Sequence, residues 1–540
     1  MQPFTKGIEK RAIIFFAGFV LLFSLLYVRL GYLSTSSGLM ETAKNQSKYT
    51  LTIEERRGQI YDCNLAPLVN RTSKQLYAVL PTSSNMKLVL DAVPQSRKDS
   101  VSKLLKTAKP FLLQSDKNIE ADHVTPFYQG QRYEYRQLAP HIIGYLDSQK
   151  NGIIGIEKGY NDFLSEHTSK TQVAYTMDGL GHGMPGVEPE VREGNADPAG
   201  IVLSIDENIQ TVIQNIGERE LKKGAIVVMD PYSGEIKGAA SFPSFTPTDL
   251  SKSINDTRNS PMINRAFLPF NVGSTFKIVT AAAALEAGIP MSETVACTGS
   301  MDVSGQVIRC HKRDGHGILD MLDAMKESCN PYFIHLGLEV GGDSLLEMAE
   351  RFGFGQGYSL ASNIYTSGGT LPLKQDMLNP AEVANLSFGQ GKLTATPVQV
   401  AQMMSVIANG GYLVAPKLVL GETLDGEMVE RTADIAPKQI ISGEIAAQIQ
   451  SFLIHCVMVA DGQNALPQKI TAGGKTGTAQ TGRFDEEGNE LEQGWFAGFF
   501  PASNPRYVVV VLSEETGYGN TTAAPVFSKI ADALAEKAKE

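Results

Sequence analysis

The chain has 540 residues, more than one ordinary hydrophobic core organises, which points to two or three domains. Hydrophobic residues make up 42% and charged residues 20%, a globular composition that excludes large-scale disorder. Lysine and arginine total 48 against 58 acidic residues, a net charge of −10 that argues against a nucleic-acid binder, whose function needs a basic face.

The first predicted element is a membrane span. Residues Ala12 to Val28 carry no charge, and with Arg29 to Leu33 snorkelling at one end the segment can cross about 30 Å of hydrocarbon. Lys6, Lys10 and Arg11 precede it, so the positive-inside rule places residues 1–11 in the cytoplasm and everything after about residue 33 outside. A cleaved signal peptide competes with this reading, but the stretch STSSG after Leu33 is a weak cleavage site. A buried core helix would not be apolar on every face. No second segment of similar length and apolarity follows, so a single pass through the membrane is expected.

Residues 34–200 read as a mixed pedestal or interaction module with little that looks catalytic. TIEERRGQIYD alternates and turns at Gly58, which predicts a strand leading into a hairpin. DSVSKLLKTAKPFL predicts a short helix stopped by Pro110. GIEKGYNDFLSE places Ile156, Tyr160 and Phe163 on one helical face. The loop-like GNADPAG, residues 194–200, marks a boundary.

Beyond it, IVLSID is strand-like, and Ser204 or Asp206 can cap a helix carrying Ile209, Val212, Ile213 and Ile216. AIVVMD and EIKGAAS form a predicted hairpin around Tyr232 to Gly234. Near the end, KITAGGKTGTAQ, GWFAGFFP and RYVVVVLSEE are three predicted strands, and VFSKIADALAEKAKE is a closing helix. A sheet of early and late strands with a large helical insertion is the economical assembly.

Five cysteines are too few and scattered for a disulfide framework. Cys297 and Cys310 flank a Gly-containing segment that could be a hairpin, and a disulfide or two plain thiols both fit it. Cys63, Cys329 and Cys456 read as small buried residues. His311 and His316, in HKRDGHG, read as structural or solvated, because no metal-ligand spacing is recognisable among the eight histidines. No metal and no cofactor is expected.

Three short motifs carry the chemistry. They are Ser274-Thr275-Phe276-Lys277 (S-x-x-K), Ser328-Cys329-Asn330 (S-x-N) and Lys475-Thr476-Gly477 (K-T-G), the signature set of penicillin-binding proteins and class A β-lactamases. Alone each is weak: S-x-x-K recurs at Ser84 and Ser100, and S-x-N at Ser83 and Ser253. Only Ser274 opens an alanine-rich helix with the other motifs ahead of it. Residues three apart share a helix face, so the Lys277 amine can reach the Ser274 hydroxyl, which needs an adjacent base. Lysine is a base only if burial or a second cation lowers its pKa, and Lys475 is the obvious cation. The helix N-terminus offers N–H groups suited to an oxyanion hole. Ser328 can relay a proton and Asn330 can hold a carbonyl or the amine, although both also cap helices readily. Gly477 permits close approach of a substrate backbone, and Thr476 and Thr478 offer hydroxyls to a carboxylate.

With these motifs the chain resembles the class B penicillin-binding proteins, the monofunctional transpeptidases of bacterial cell-wall synthesis. The likeness covers nearly the whole chain. Arg57-Gly58-Gln59-Ile60-Tyr61-Asp62 resembles an early family segment, with Cys63 where an arginine is usual. Gly155-Ile156-Glu157 with Tyr160 resembles a second pedestal motif, and MDPYSGEIKGAAS, Asn264-Arg265-Ala266 and SFGQGKLTATPVQVA resemble transpeptidase segments. The resemblance implies an α/β (α+β) serine β-lactamase/transpeptidase-like domain. That is an antiparallel sheet with helices on both faces and a large helical insertion, at residues 201–540. A membrane helix at 12–33 and a pedestal at 34–200 would precede it.

It further implies that Ser274 is the acylated nucleophile and Lys277 its base, with Ser328 and Asn330 as the second motif. Lys475, Thr476, Gly477 and Thr478 would form the substrate-binding strand, and the N–H groups of Ser274 and Thr478 the oxyanion hole. The implied reaction is D,D-transpeptidation of peptidoglycan stem peptides, with β-lactams as covalent inhibitors and a polytopic membrane glycan polymerase as partner.

A D,D-carboxypeptidase would use the same residues with water as acceptor. A β-lactamase does not require an anchor and pedestal, and a bifunctional synthase would need a glycosyltransferase domain ahead of residue 200. A non-enzymatic scaffold would tolerate loss of a motif residue. A sensor would carry a cytoplasmic signalling portion, and only about 11 residues precede the span.

Overall fold

The computed structural model of the chain describes residues 4–35, 47–194, 197–458, 464–484, 487–514 and 517–537. Most of the STSSG stretch, Ala196 and its neighbour in the 194–200 boundary, and the last three residues lie outside these. The N-terminal helix Phe4–Thr35 is apolar around its circumference, and among the described residues it alone is long and apolar enough to cross a membrane.

The rest divides into two compact units. The first comprises Met1–Arg56, Ser73–Gly130 and Ser169–Ala196; the second comprises Arg57–Thr72, Gln131–Thr168 and Asp197–Glu540. In the first unit, strands Lys48–Arg56, Ser169–Thr176 and Glu190–Arg192 form one antiparallel sheet. A second sheet, centred on Thr72–Val79, packs Tyr77 and Val79 against Val101 and Leu105 of the helix Gln95–Leu105. That helix stops before Pro110: the chain turns over left-handed Ala108, and Phe111–Gln114 continues as a strand.

The hairpin expected at Gly58 does not form. Lys48–Arg56 pairs with Ser169–Thr176, while Gln59–Tyr61 pairs in parallel with Gly200–Leu203 in a different sheet. Gly58 is instead a crossing point, its N–H donating to Leu164 O at 3.0 Å. GIEKGYNDFLSE is likewise broken at Tyr160 into Gly155–Gly159 and Asn161–Glu166.

In the second unit, helix α1 (Glu207–Glu220) begins at Asp206, whose carboxylate accepts from the N–H groups of Asn208 and Ile209. Ser204 does not cap it; its hydroxyl donates to Ile236 O. Strands β1 (Gly224–Met229) and β2 (Ile236–Phe242) are the predicted hairpin. The helical insertion contains α2 (Lys277–Glu286), α3 (Asn330–Val340), α4 (Pro397–Ala408) and α5 (Gly443–Met458). Strands β3 (Gly473–Phe484), β4 (Glu490–Phe500) and β5 (Tyr507–Ser513) and helix α6 (Ala524–Lys537) close the chain.

The five strands make one sheet in the order β2-β1-β5-β4-β3, antiparallel throughout. Side chains alternate across a strand, so the continuous apolar runs of β1 and β5 feed two cores. Ile226, Val228, Val509 and Val511 join Ile213 of α1 and Phe527 and Ile530 of α6. Val227, Met229, Val508 and Val510 join Ile278 of α2 and Met403 and Met404 of α4. The sheet is therefore buried on both faces and holds β3 rigidly at its edge.

The two segments that resembled pedestal motifs meet each other in this unit. Glu157 is fully buried; its carboxylate accepts from Arg57 Nε at 3.1 Å, Arg132 Nε at 2.7 Å and the Tyr133 hydroxyl at 2.9 Å. Asp62 turns the chain after Tyr61 by accepting from the N–H groups of Asn64 and Ala66, both at 2.8 Å. Removing one partner of a buried ion pair strands the others without solvent. We therefore expect Glu157→Gln to destabilise the second unit by about 3–5 kcal/mol, read as a lower urea midpoint of the detergent-solubilised chain.

Candidate active site

The three motifs converge in the second unit. The S-x-x-K segment is a 3-10 turn, Gly273–Phe276, and the α-helix begins only at Lys277. Lys277 follows Ser274 by three residues, at the junction of the 3-10 turn and the α-helix. Gly273 explains the start of the turn. Its φ is +63°, its N–H donates to Gly389 O at 2.9 Å, and a Cβ there would lie 2.4 Å from Thr478 O. The S-x-x-K turn and β3 thus touch backbone to backbone. Gly477 makes the same approach from the other side, since a Cβ on it would meet Thr275 Cγ2 at 2.9 Å.

Ser274 is half-buried, whereas Lys277 has no exposed surface. The Lys277 amine donates to Ser328 O at 2.6 Å, Ser328 Oγ at 3.1 Å and Asn330 Oδ1 at 2.8 Å, so its hydrogen bonds go to the S-x-N segment and not to Ser274. The Phe333 ring lies beneath it, 5.6 Å from Nζ to the centroid. Burial holds the Lys277 pKa well below the ordinary lysine range, and the charge of Lys475 lowers it further.

Ser328 reaches Lys277 through an unusual backbone. Its φ is +53°, outside the range a serine normally adopts. That left-handed residue ends the helix Met321–Lys326 and presents both its carbonyl and its hydroxyl to the amine. Asn330 does not cap α3. Cys329 occupies the cap position without a side-chain cap bond, and the Asn330 amide instead bridges Lys277 and Arg309 O, the latter at 3.2 Å.

Lys475 is buried and donates to Thr476 O at 3.2 Å, with its own pKa lowered by burial. Lys475, Gly477 and Ala479 are buried, while Thr476 and Thr478 are half-exposed, and Lys475 Nζ reaches to 3.4 Å from Thr476 Oγ1. The Thr478 hydroxyl accepts from Gly519 N–H at 3.2 Å. Because β3 is the edge strand of its sheet, an extended chain can add to it. A cavity of about 240 Å³ lies beside these groups, lined by Ser328, Lys475, Thr476, His311, Cys456 and Phe496; Ser274 is not in its wall.

Two supporting residues were not singled out from sequence. Trp495 Nε1 donates to Asn271 O at 2.7 Å, and Asn271 N–H donates to Gln493 Oε1 at 2.9 Å. Both brace the segment leading into the S-x-x-K turn against β4. The signal was present, since Trp495 is the one tryptophan of the chain and pairs in register with Gly477. The repeated S-x-x-K at Ser84 and Ser100 and the S-x-N at Ser83 fall in the first unit, apart from the other motifs.

Cys297 and Cys310 are free thiols, as are the other three cysteines. The histidine and cysteines read as unrelated structural residues come together. Cys297, Cys310, His316 and Cys329 place one sulfur or nitrogen each within 4.8 Å of one another.

Residues 224–532 match the family described as the penicillin binding protein transpeptidase domain. The chain belongs to the penicillin-binding transpeptidase family. It is 31% identical to stage V sporulation protein D of Bacillus subtilis over 98% of this chain and 86% of that one. It is 26% identical to peptidoglycan D,D-transpeptidase MrdA of Salmonella typhimurium over 97% and 96% of the two chains. A D,D-transpeptidase domain from Eggerthella lenta shares the fold, with a TM-score of 0.62 and 24% identity over 89% of this chain and 98% of the other. The whole-chain likeness places this penicillin-binding protein with the class B enzymes.

The contact at Gly273 has a measurable consequence in this transpeptidase. Gly273→Ala would strain a left-handed residue and drive a methyl into Thr478 O, so we expect a loss of about 1–3 kcal/mol and a lower melting temperature.

Proposed function

We propose that the chain is a peptidoglycan D,D-transpeptidase in which Ser274 is the acylated nucleophile. The observation that carries this reading is the buried Lys277 amine, three residues on from Ser274 and held by Ser328 and Asn330, with the charge of Lys475 close enough to lower its pKa. Ser274 Oγ attacks the carbonyl of the penultimate D-Ala while its proton passes to neutral Lys277. The N–H groups of Ser274 and Thr478 receive the oxyanion. Collapse breaks the amide bond, and Ser328 relays the proton from Lys277 to the departing D-Ala amine. The amine of a second stem then attacks the ester, gives up its proton along the same path and restores Ser274. Lys475, Thr476 and Thr478 bind the terminal carboxylate of the donor, and Gly477 lets the donor backbone lie along β3. β-Lactams acylate Ser274 in the same way.

In this reading residues 1–11 are cytoplasmic, 12–33 anchor the chain, 34–200 form a pedestal and 201–540 form the transpeptidase domain outside the membrane. The partner in the membrane is a polytopic glycan polymerase.

Benzylpenicillin added to the solubilised chain should leave a stable adduct by intact-mass measurement, mapped to the peptide holding Ser274. Ser274→Ala should abolish it with the melting temperature nearly kept, and a retained adduct refutes the assignment. Rapid penicillin hydrolysis without adduct would indicate a β-lactamase, D-Ala release without transfer a carboxypeptidase, and an inert folded chain a scaffold.

The acylation rate should rise with pH as Lys277 loses its proton at a pKa below the usual lysine value. The charge of Lys475 opposes protonation of Lys277, so Lys475→Met should let Lys277 keep its proton to higher pH. The rising limb of the pH–rate profile would then move toward alkali. An unmoved limb rules out that electrostatic role.

A further inference from the structure

We propose that Cys297, Cys310, His316 and Cys329 form a closed tetrahedral site for a thiophilic divalent metal, zinc by its ligand chemistry, which braces the S-x-N segment. The four ligands come from four places in the insertion. Cys297 ends a short strand, Val295–Cys297, and pairs with Gly317 of the strand Gly317–Leu319. Cys310 follows the hairpin Ser300–Val303 and Gln306–Arg309. His316 lies one residue before Gly317, and Cys329 stands at the cap of α3.

The geometry fits the ion. Cys297, Cys310 and Cys329 are buried, and the His316 side chain is 2% exposed. Cys310 Sγ and His316 Nδ1 are 3.6 Å apart. With metal–sulfur near 2.3 Å and metal–nitrogen near 2.0–2.1 Å, the edge of a tetrahedron is also about 3.6 Å. The other ring nitrogen, Nε2, is buried without a hydrogen-bond partner, and Glu327 Oε2 stands 3.9 Å from it. A carboxylate on the second nitrogen is the usual companion of a metal-bound imidazole. Three thiolates and a neutral imidazole suit zinc and leave no open position, so the site is structural. Three sulfurs also cannot all be satisfied by disulfides.

Binding displaces the thiol protons to solvent, and three thiolates around a divalent ion carry one net negative charge. That charge lies one residue from both Ser328 and Asn330, the two residues that hold Lys277. The metal site stands independently of the reading of Ser274; the bracing of a catalytic segment rests on it.

The full-length protein, purified in detergent under reducing conditions and dialysed without chelator, should hold close to one zinc per chain by elemental analysis. Cobalt(II) exchanged into the same protein should show thiolate-to-metal charge transfer and the intense d–d bands of tetrahedral coordination. Cys310→Ser and His316→Ala should lose the metal or weaken the bands, while Cys63→Ser should keep one metal per chain. Reduced wild-type protein with neither zinc nor tetrahedral cobalt bands overturns the site, whatever the folding of the variants. Chelator-stripped protein should acylate with benzylpenicillin about 10-fold or more slowly and recover with added zinc. An unchanged rate in stripped protein overturns the bracing and leaves the metal count as a separate result.

Discussion

The amine of Lys277 has no contact with water, and an unpartnered charge taken that far from solvent costs several kcal/mol. It is met by oxygen atoms brought to it from one short segment, Ser328 O, Ser328 Oγ and Asn330 Oδ1. That requirement fixes much of what surrounds it. Ser328 must adopt a left-handed backbone to offer carbonyl and hydroxyl together, and Asn330 must give up capping α3. The same burial, with the charge of Lys475 near it, disfavours the proton and holds the Lys277 pKa well below the ordinary lysine range. The arrangement of Ser328 and Asn330 and the lowered pKa have one cause, an amine held where charge is expensive.

The sheet supplies the rigidity this arrangement needs. An edge strand with one solvated face could shift by a register step, but β3 is carried by β4 and β5, whose side chains are locked into two separate cores. The S-x-x-K turn is fastened to that frame by backbone proximity at Gly273 and Gly477 and by Trp495 and Gln493 around Asn271. Ser274 is therefore placed by strands more than 190 residues away in sequence, through contacts that involve little side-chain freedom.

Much of this was legible in the residues. The motifs and their order, the hairpin after residue 224, the three late strands and the capping by Asp206 all follow from local rules. What escaped was non-local. Gly58 reads as a turn because glycine between alternating segments usually is one, but only the pairing partners, Ser169–Thr176 and Gly200–Leu203, decide that the two strands part there. Arg57 and Glu157 each belong to a recognisable segment, yet their ion pair spans 100 positions. Periodicity carries no information about such a contact. The run of valines in β5 has no alternation to read, because both of its faces are buried. The 3-10 start at Ser274 depends on Gly389 accepting from Gly273, which no window around the motif contains.

Cys329 brings these threads together. A helix N-cap favours serine, threonine, aspartate or asparagine, and lacking such a side chain typically costs about 1 kcal/mol. At the start of α3 the flanking residues, Ser328 and Asn330, both have the right chemistry, but they are committed to Lys277. The cap position between them holds a sulfur that makes no cap bond. A buried cysteine there is poor helix chemistry and needs another reason. Its sulfur faces those of Cys297 and Cys310 and the ring of His316, whose placement depends on the small strands of residues 295–319. Those strands are three or four residues long, too short to be stable by pairing alone. A shared ligand at their convergence would fasten them to the residue that separates Ser328 from Asn330, and so tie the least regular part of the insertion to the acceptors of the buried amine.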